Sequence, residues 1–170
     1  MEREYARDYV DGEEIPPLVI DADGVLPDGH RGSIHVERAA VRLTGEHQGG
    51  MWLWNGASLE LGGRHQGSLH LEEGSKVVIE GNQQGSTHVG GGCSARVTGG
   101  RSQGSVHVAR GGEFVVEVGG AHQGSVHNDG RYVLRGVRGG SYEGSGEYVE
   151  EAGSVVKRPI IRDGIAVHEW

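Results

Sequence analysis

The chain has 170 residues, of which 35% are hydrophobic, 33 are glycine and a single one is phenylalanine. This composition excludes a thick single core and favours a thin core shared between stacked repeats. The net charge of -8 arises mainly in residues 1–30, which hold nine acidic residues and two arginines, so the chain lacks the basic footprint that nucleic acid requires.

The cysteine count and the apolar runs limit the cellular setting. Cys93 is the only cysteine, which excludes an intramolecular disulfide and is consistent with a reducing compartment. No apolar stretch approaches the ~20 residues of a membrane helix, and residues 1–14 carry no apolar run of the kind found in a signal peptide. We therefore expect a cytoplasmic protein with no membrane span.

Residues 1–29 are predicted to form an acidic N-terminal arm that is also a possible cap. Pro16-Pro17 stops any helix, and Leu18-Val19-Ile20 is a short strand candidate followed by turns at Asp21–Gly24 and Pro27–Gly29. This apolar segment is predicted to fold over one end of the repeats.

Residues 30–150 repeat a motif whose clearest copies read Gln-Gly-Ser-x-His. The fixed glycines are spaced by 17, 18, 18, 19, 20 and 20 residues, and they are Gly32, Gly49, Gly67, Gly85, Gly104, Gly124 and Gly144. After each glycine, small or polar residues alternate with apolar ones, as in Leu69/Leu71 and Val106/Val108, which indicates a half-buried strand. A second alternating strand follows in each copy, and the spacing predicts about seven coils.

The predicted fold class is an all-β, single-domain β-solenoid, with a right-handed β-helix as the preferred form. An antiparallel meander is the competing geometry, but only parallel stacking places Gln over Gln and His over His. Residues 151–170 are predicted to be a C-terminal hairpin cap, with strands around Ile160-Ile161 and from Ile165 through His168 and Glu169 to Trp170.

The run from Val77-Val78-Ile79-Glu80-Gly81 to Gly85-Ser86-Thr87-His88-Val89 resembles the bactofilins, a family of bacterial cytoskeletal proteins. The resemblance covers residues 32–145 and rests on the period and the corner glycines. It implies a triangular β-helix and filaments that form without nucleotide. The acidic arm and the dedicated ends of this chain depart from the family pattern.

The histidines fall into two predicted columns, both expected on the outer face. The first contains His35, Trp52, His70, His88, His107, His127 and Glu147, and the second contains His30, His47, His65, Gln83, Ser102, His122 and Tyr142. Stacked imidazoles could share a transition metal, but metal sites need convergent ligands. No metal site or cofactor is therefore favoured; any metal ligands would be His70, His88, His107 and His127.

Glutamines and serines are expected to form two further columns. The glutamines Gln48, Gln66, Gln84, Gln103 and Gln123, ending in Glu143, are interpreted as structural bracing through stacked amides. Six equivalent serines have no matching column of acids, so a nucleophilic triad is not predicted and no catalytic residue is proposed.

Trp52 and Trp54 alternate with apolar residues and are expected to point outward. Two exposed tryptophans are typical of a contact patch, and the alternative is that the N-terminal arm covers them. The predicted partner-binding residues are Trp52, Trp54, His70, His88, His107 and His127.

The leading functional hypothesis is a non-catalytic scaffold or protein-binding module, with bactofilin-like self-assembly as the form that the resemblance implies. The first alternative is a small soluble inhibitor, such as an immunity protein that masks a toxin. The second alternative is metal binding by the outward histidines. Partners are expected to be proteins or further copies of the chain.

Overall fold

The computed structural model describes residues 3–167 and Trp170, and every regular element in this part of the chain is a β-strand. An antiparallel hairpin of β1 (Asp8–Val10) and β2 (Glu13–Ile15) precedes a three-sided solenoid. A second antiparallel hairpin, β27 (Ile160–Arg162) and β28 (Ile165–Val167), follows it. The predicted all-β solenoid with a C-terminal hairpin is confirmed; the predicted continuation through His168 and Glu169 lies outside the described residues.

Three parallel sheets form the sides of the solenoid, and each contains eight strands. The first sheet consists of β3 (Leu18–Ile20), β6 (Ile34–Glu37), β9 (Met51–Trp54), β12 (Leu69–Leu71), β15 (Thr87–Val89), β18 (Val106–Val108), β21 (Val126–Asn128) and β24 (Tyr142–Glu143). The second sheet consists of β4 (Gly24–Val25), β7 (Ala40–Leu43), β10 (Ser58–Leu61), β13 (Lys76–Ile79), β16 (Ser94–Val97), β19 (Glu113–Val116), β22 (Arg131–Leu134) and β25 (Glu147–Glu150). The third sheet consists of β5 (His30–Arg31), β8 (Glu46–Gln48), β11 (Arg64–Gln66), β14 (Asn82–Gln84), β17 (Arg101–Gln103), β20 (Ala121–Gln123), β23 (Val137–Gly139) and β26 (Val155–Lys157).

Each coil contributes one strand to each sheet, which gives eight coils where the glycine spacing predicted about seven. Equivalent residues pair in register, so Leu69 lies between Met51 and Thr87. Seven steps of ~4.8 Å make the stack about 34 Å long. The antiparallel meander is excluded because all the sheet pairings between coils are parallel.

The core is a thin column of inward side chains that changes character along the stack. Aliphatic residues such as Leu53, Leu71 and Ile79 fill the middle coils and are fully buried. Towards the C-terminal end, Phe114 and Tyr132 stack at 5.5 Å between ring centroids. The interior therefore becomes aromatic where the coils approach the last one.

The corner that joins each coil to the next is turned by a glycine with positive φ. A Cβ at Gly67 or Gly85 would collide with the carbonyl of the corner glycine one coil earlier, so only glycine fits. The seventh of these glycines is Gly140 and not Gly144 as predicted, because the last step spans 16 residues. This shift moves Tyr142 and Glu143 into the first sheet.

The first coil begins inside the segment assigned to the arm. Leu18–Ile20 pairs in parallel with β6, so it is the first strand of a sheet and not a separate flap over the end. The edge strands of the stack, β3 to β5 and β24 to β26, each have a sheet partner on one side only. Five side chains are half-buried against the core at these ends: Leu18, Ile20, Tyr142, Tyr148 and Val156.

Within the described residues, the strands of the C-terminal hairpin pair in a sheet with each other alone, and their aliphatic side chains are exposed, including Ile161 at 67%. Trp170 packs where a side chain at Gly139 would otherwise stand, and its ring lies 5.8 Å from the guanidinium of Arg101. The described end of the chain thus contacts the outer face of the third sheet. Within the described residues no helix is long and apolar enough to cross a membrane.

Candidate functional site

A continuous stack of rings runs down the outer face of the first sheet. We call it the ring column: His35, Trp52, His70, His88, His107 and His127, which the sheet register places one above the other. From His35 to His107 the centroids are 4.6 to 4.9 Å apart and the planes are parallel within 11°. The predicted first histidine column therefore exists and faces outward.

Alternation along each strand explains this position. Leu69 and Leu71 are fully buried on either side of His70, and Thr87 and Val89 flank His88 in the same way. Exposure of the ring column increases along the stack, from His35 at 6% to exposed side chains at His107 and His127.

Burial and the neighbouring imidazoles keep His70 and His88 of the ring column neutral. Burial lowers the pKa of His70 to about 4, with a further lowering from neighbouring His88. Burial and the adjacent His107 also lower the pKa of His88. Imidazoles at this spacing disfavour each other's charged form, so His70 and His88 present uncharged donors and acceptors at neutral pH.

The last member of the column differs from the others. His127 is tilted by 36° from His107, and its Nδ1 and Nε2 lie 3.2 and 3.1 Å from Glu143 and Asp129. Hydrogen bonds to Glu143 and then Asp129 raise the pKa of His127. Glu143 takes the place predicted for Glu147, because the coil register follows Gly140.

The glutamine ladder lies on the outer face of the third sheet and consists of Gln48, Gln66, Gln84, Gln103 and Gln123. Each side-chain amide hydrogen-bonds the next across the coils, at 3.0, 3.1, 3.2 and 3.3 Å in order. Gly139 continues the register where Glu143 was predicted, and Trp170 covers it. The ladder is bracing of the kind that stacked amides provide.

The second predicted histidine column points inward, which corrects the sequence prediction. This inner column contains His30, His47, His65, Gln83, Ser102, His122 and Arg138. His47, His65, Gln83, Ser102 and His122 are at most 1% exposed. Arg138 stands in the place predicted for Tyr142.

The reason is a carbonyl at each glycine corner. The corner glycines turn this oxygen towards the interior, where His65 Nε2 lies 2.9 Å from Gly49 O and Gln83 Nε2 donates to Gly67 O at 3.0 Å. His47 and His122 contact the carbonyls of Gly32 and Gly104 in the same way, at 2.7 and 3.1 Å. A buried acceptor needs a donor, so a polar side chain is favoured inside at this position.

Not every group in the inner column is satisfied. Ser102 Oγ and His47 Nδ1 of this column are buried and have no hydrogen-bond partner among the described residues, and the same is true of Thr87 Oγ1 in the first sheet. Burial lowers the pKa of His47 and of His122 to about 4, and the hydrogen bonds to Gly32 and Gly104 offset part of the effect.

The N-terminal arm lies against the top of the ring column. The Tyr5 ring lies 3.9 Å from the His35 ring between centroids, tilted by 33°, and the Tyr5 hydroxyl donates a 2.6 Å hydrogen bond to Glu37. The Arg3 guanidinium lies 3.6 Å from the centroid of Trp54, whose Nε1 donates to His35 Nδ1 at 3.3 Å. Of the two alternatives for the tryptophans, the structure shows the arm in contact with Trp54.

Further contacts fix the arm at the first corner. Asp8 accepts a 2.6 Å hydrogen bond from the backbone N–H of Ser33, and Arg3 contacts Glu73 at 3.2 Å. Tyr5 and Arg3 were not among the predicted site residues. The only sequence signal for them was an aromatic and a cation inside an otherwise acidic segment.

The ring column has poor geometry for a metal ion. Imidazole lone pairs lie in the ring planes, and these planes are parallel within 5° from His70 to His107, so their nitrogens do not converge on one point. Residues 3–167 and Trp170 contain no group of three or more His, Cys, Asp or Glu residues that could hold one.

Serine and histidine meet once on this face, where His88 Nε2 lies 3.2 Å from Ser86 Oγ. No carboxylate orients His88 in the described contacts, so the pair lacks the third member of a triad. Comparison with protein families, curated proteins and solved structures found no match.

Proposed function

We propose that this protein is a non-catalytic scaffold that binds protein surfaces through the outer face of its first sheet. Its copies associate end to end, as the resemblance to bactofilins implies. The observation that carries the proposal is the state of the two ends of the stack. Ring column and glutamine ladder stiffen the sides between these ends.

Both ends expose the kind of edge that pairs with another chain. Among the described residues, β3 to β5 and β24 to β26 have parallel partners on one side only, so each end of the stack leaves three strand edges unpaired. Unpaired strand edges recruit further strands unless they are blocked. Ile20 and Val156 leave apolar surface half-covered there, so stacking a second copy would bury both backbone and core.

Negative-stain electron microscopy of the purified protein tests end-to-end association, and Ile20→Lys is the variant to compare. This lysine places a charge on the open end of the core and should abolish filaments. Val25→Lys is the matched control, because Val25 lies in the same coil but points to solvent at 66% exposure.

Filaments from the parent chain and from Val25→Lys, and none from Ile20→Lys, support the proposal. A parent chain that stays a monomer at all concentrations overturns self-assembly. That result would favour the alternative, an inhibitor that masks one partner. Circular dichroism of each variant shows whether a lost filament reflects lost folding.

A further inference from the structure

The outer face of the first sheet carries a strip of repeated small and ring side chains that lies between the contacts of the two chain ends. We call it the serine–histidine strip, and its members are Ser68, Ser86, Ser105 and Ser125 with His70, His88, His107 and His127. The described arm contacts reach Trp54 and Glu73 beside this strip, and Trp170 contacts the third sheet. The strip itself is half-buried to exposed.

The strip is uniform where the outer face of the second sheet is not. Its serines and histidines are identical in four successive coils, whereas one outward position of the second sheet is occupied in successive coils by Arg42, Glu60, Val78, Arg96, Val115 and Val133. Ring stacking accounts for the histidines. Apart from the contact between Ser86 and His88, no described side-chain hydrogen bond accounts for these serines.

The centre of the strip carries no acidic side chain. Beyond the histidines, the next outward residues of the two central coils are Gly90 and Ala109. The described carboxylates lie at the edges of the strip: Glu72 in the coil of His70, and Asp129 and Glu143 within 3.2 Å of His127. In a chain of net charge -8, this centre is where two copies can approach with the least repulsion.

Its hydrogen-bonding groups are self-complementary. A serine hydroxyl and a neutral imidazole each donate and accept, so the strip can satisfy an identical strip that faces it. Such self-complementarity is what a two-fold interface between identical subunits requires. The rows repeat every ~4.8 Å, a spacing that a second stacked-coil face matches over its whole length and an extended peptide does not.

We propose that the serine–histidine strip is a lateral interface between two copies of this chain, related by a two-fold axis that lies in the plane of the interface, parallel to the first sheet. This inference rests on the proposed scaffold function. The contacts of the strip are separate from those at the ends of the stack.

The strip spans only four coils, so it is smaller than the roughly 800 Å² per partner of a standard stable interface. A pair of isolated copies should therefore associate weakly. Copies already stacked end to end would present many strips in a row, and lateral contact would strengthen by multivalency. Paired filaments are the expected outcome.

The test introduces charge on the strip and, as a control, on another face. Ser86→Glu with Ser105→Glu places carboxylates in the strip, while Ser58→Glu with Ser94→Glu adds the same charge on the half-buried outer face of the second sheet. In electron micrographs, the strip variant should give single filaments, and the control should give paired filaments like the parent.

Sedimentation velocity in the Ile20→Lys background separates this inference from end-to-end assembly. That protein should still show a concentration-dependent dimer, which the strip variant loses and the control variant keeps. A monomer at the highest workable concentration overturns the lateral interface, whether or not the parent forms filaments. Equal loss of the dimer in strip and control variants also overturns it.

Discussion

The carbonyl oxygens of four corner glycines point into the solenoid, where the inner-column residue one coil later lies within hydrogen-bond distance. His47, His65, Gln83 and His122 make these contacts from the same position. Ser102 occupies this position too, yet its Oγ is buried without a partner among the described residues. At the residue scale, an inner-column side chain therefore stabilises the corner only when it is long enough to hydrogen-bond the glycine carbonyl.

Gln83→Leu and Ser102→Ala test this account as a pair. Leucine keeps the volume of Gln83 but removes the donor to Gly67 O and the acceptor that lies 2.5 Å from His65 Nδ1. Leaving buried polar groups unpaired costs about 1–3 kcal/mol, so the free energy of unfolding should fall by that amount. Ser102→Ala removes a hydroxyl that bonds nothing and should change stability by less than about 0.5 kcal/mol.

Urea titration followed by circular dichroism measures both changes. Comparable losses in the two variants would contradict the donor role of the inner column, because only Gln83 has partners to lose.

A second residue-scale prediction concerns Trp52, which lies 4.8 Å from both His35 and His70 in the ring column. Trp52→Ala interrupts the stack and should lower the free energy of unfolding by roughly 1–3 kcal/mol, from lost burial and ring contacts. Trp52→His restores the ring found at the equivalent position below and should recover part of that loss. A histidine variant as unstable as the alanine variant would show that stacking contributes little.

At the element scale, the arm acts as an extra ring on the column. Tyr5 covers His35, and burial lowers the pKa of this histidine to about 4 although Asp8 and Glu37 raise it. Tyr5→Ala should open His35 to water and move its pKa upward, towards the ordinary value near 6.5. His127, on the same column but outside the described arm contacts, should keep its raised pKa.

Histidine titration by NMR reads both residues in one sample. An unchanged pKa at His35 in Tyr5→Ala would mean that the arm does not shield the column in solution.

Alternation predicted most strands because apolar residues such as Leu69 and Leu71 mark one face. The same test failed for the third sheet, whose strands carry a single inward residue, and that residue is polar in His65 and Gln83. In the sequence, a polar residue that points inward cannot be told apart from its two polar neighbours that point outward. The deciding factor is the glycine carbonyl inside, and it becomes visible only once the chain is coiled.

At the scale of the whole molecule, the repeat predicted the stacked coils and their identical columns, but not where the stack begins and ends. Leu18–Ile20 shows no motif, yet it pairs with β6 as a complete strand. At the other end, the shorter step to Gly140 moved Glu143 into the ring column in place of Glu147. The structure of these terminal segments is determined by pairing with a neighbouring coil. A search for sequence motifs contains no information on that pairing.

The neutral histidines also make the whole fold sensitive to acid. Burial lowers the pKa of His35, His47, His70 and His122 to about 4 in the folded chain, against about 6.5 in the unfolded chain. Between these values the unfolded state binds more protons, so stability falls as the pH drops from about 6.5 towards 4. A fully buried histidine contributes a slope of up to about 1.4 kcal/mol per pH unit, and the half-exposed ones contribute less.

His122→Gln provides the control for this acid sensitivity, because Gln83 shows that glutamine can donate to the corner carbonyl from the inner column. Denaturant titrations at pH 7.5, 6.0 and 5.0 should show the parent losing stability at each step. The variant should lose less stability, by up to about 1.4 kcal/mol per pH unit, since glutamine does not titrate. His127→Gln should leave the slope nearly unchanged or make it slightly steeper, because the carboxylates of Glu143 and Asp129 raise the pKa of that exposed histidine. A parent chain equally stable at pH 7.5 and 5.0 would mean that the buried imidazoles accept protons without unfolding, and the neutral state assigned to the columns would be wrong.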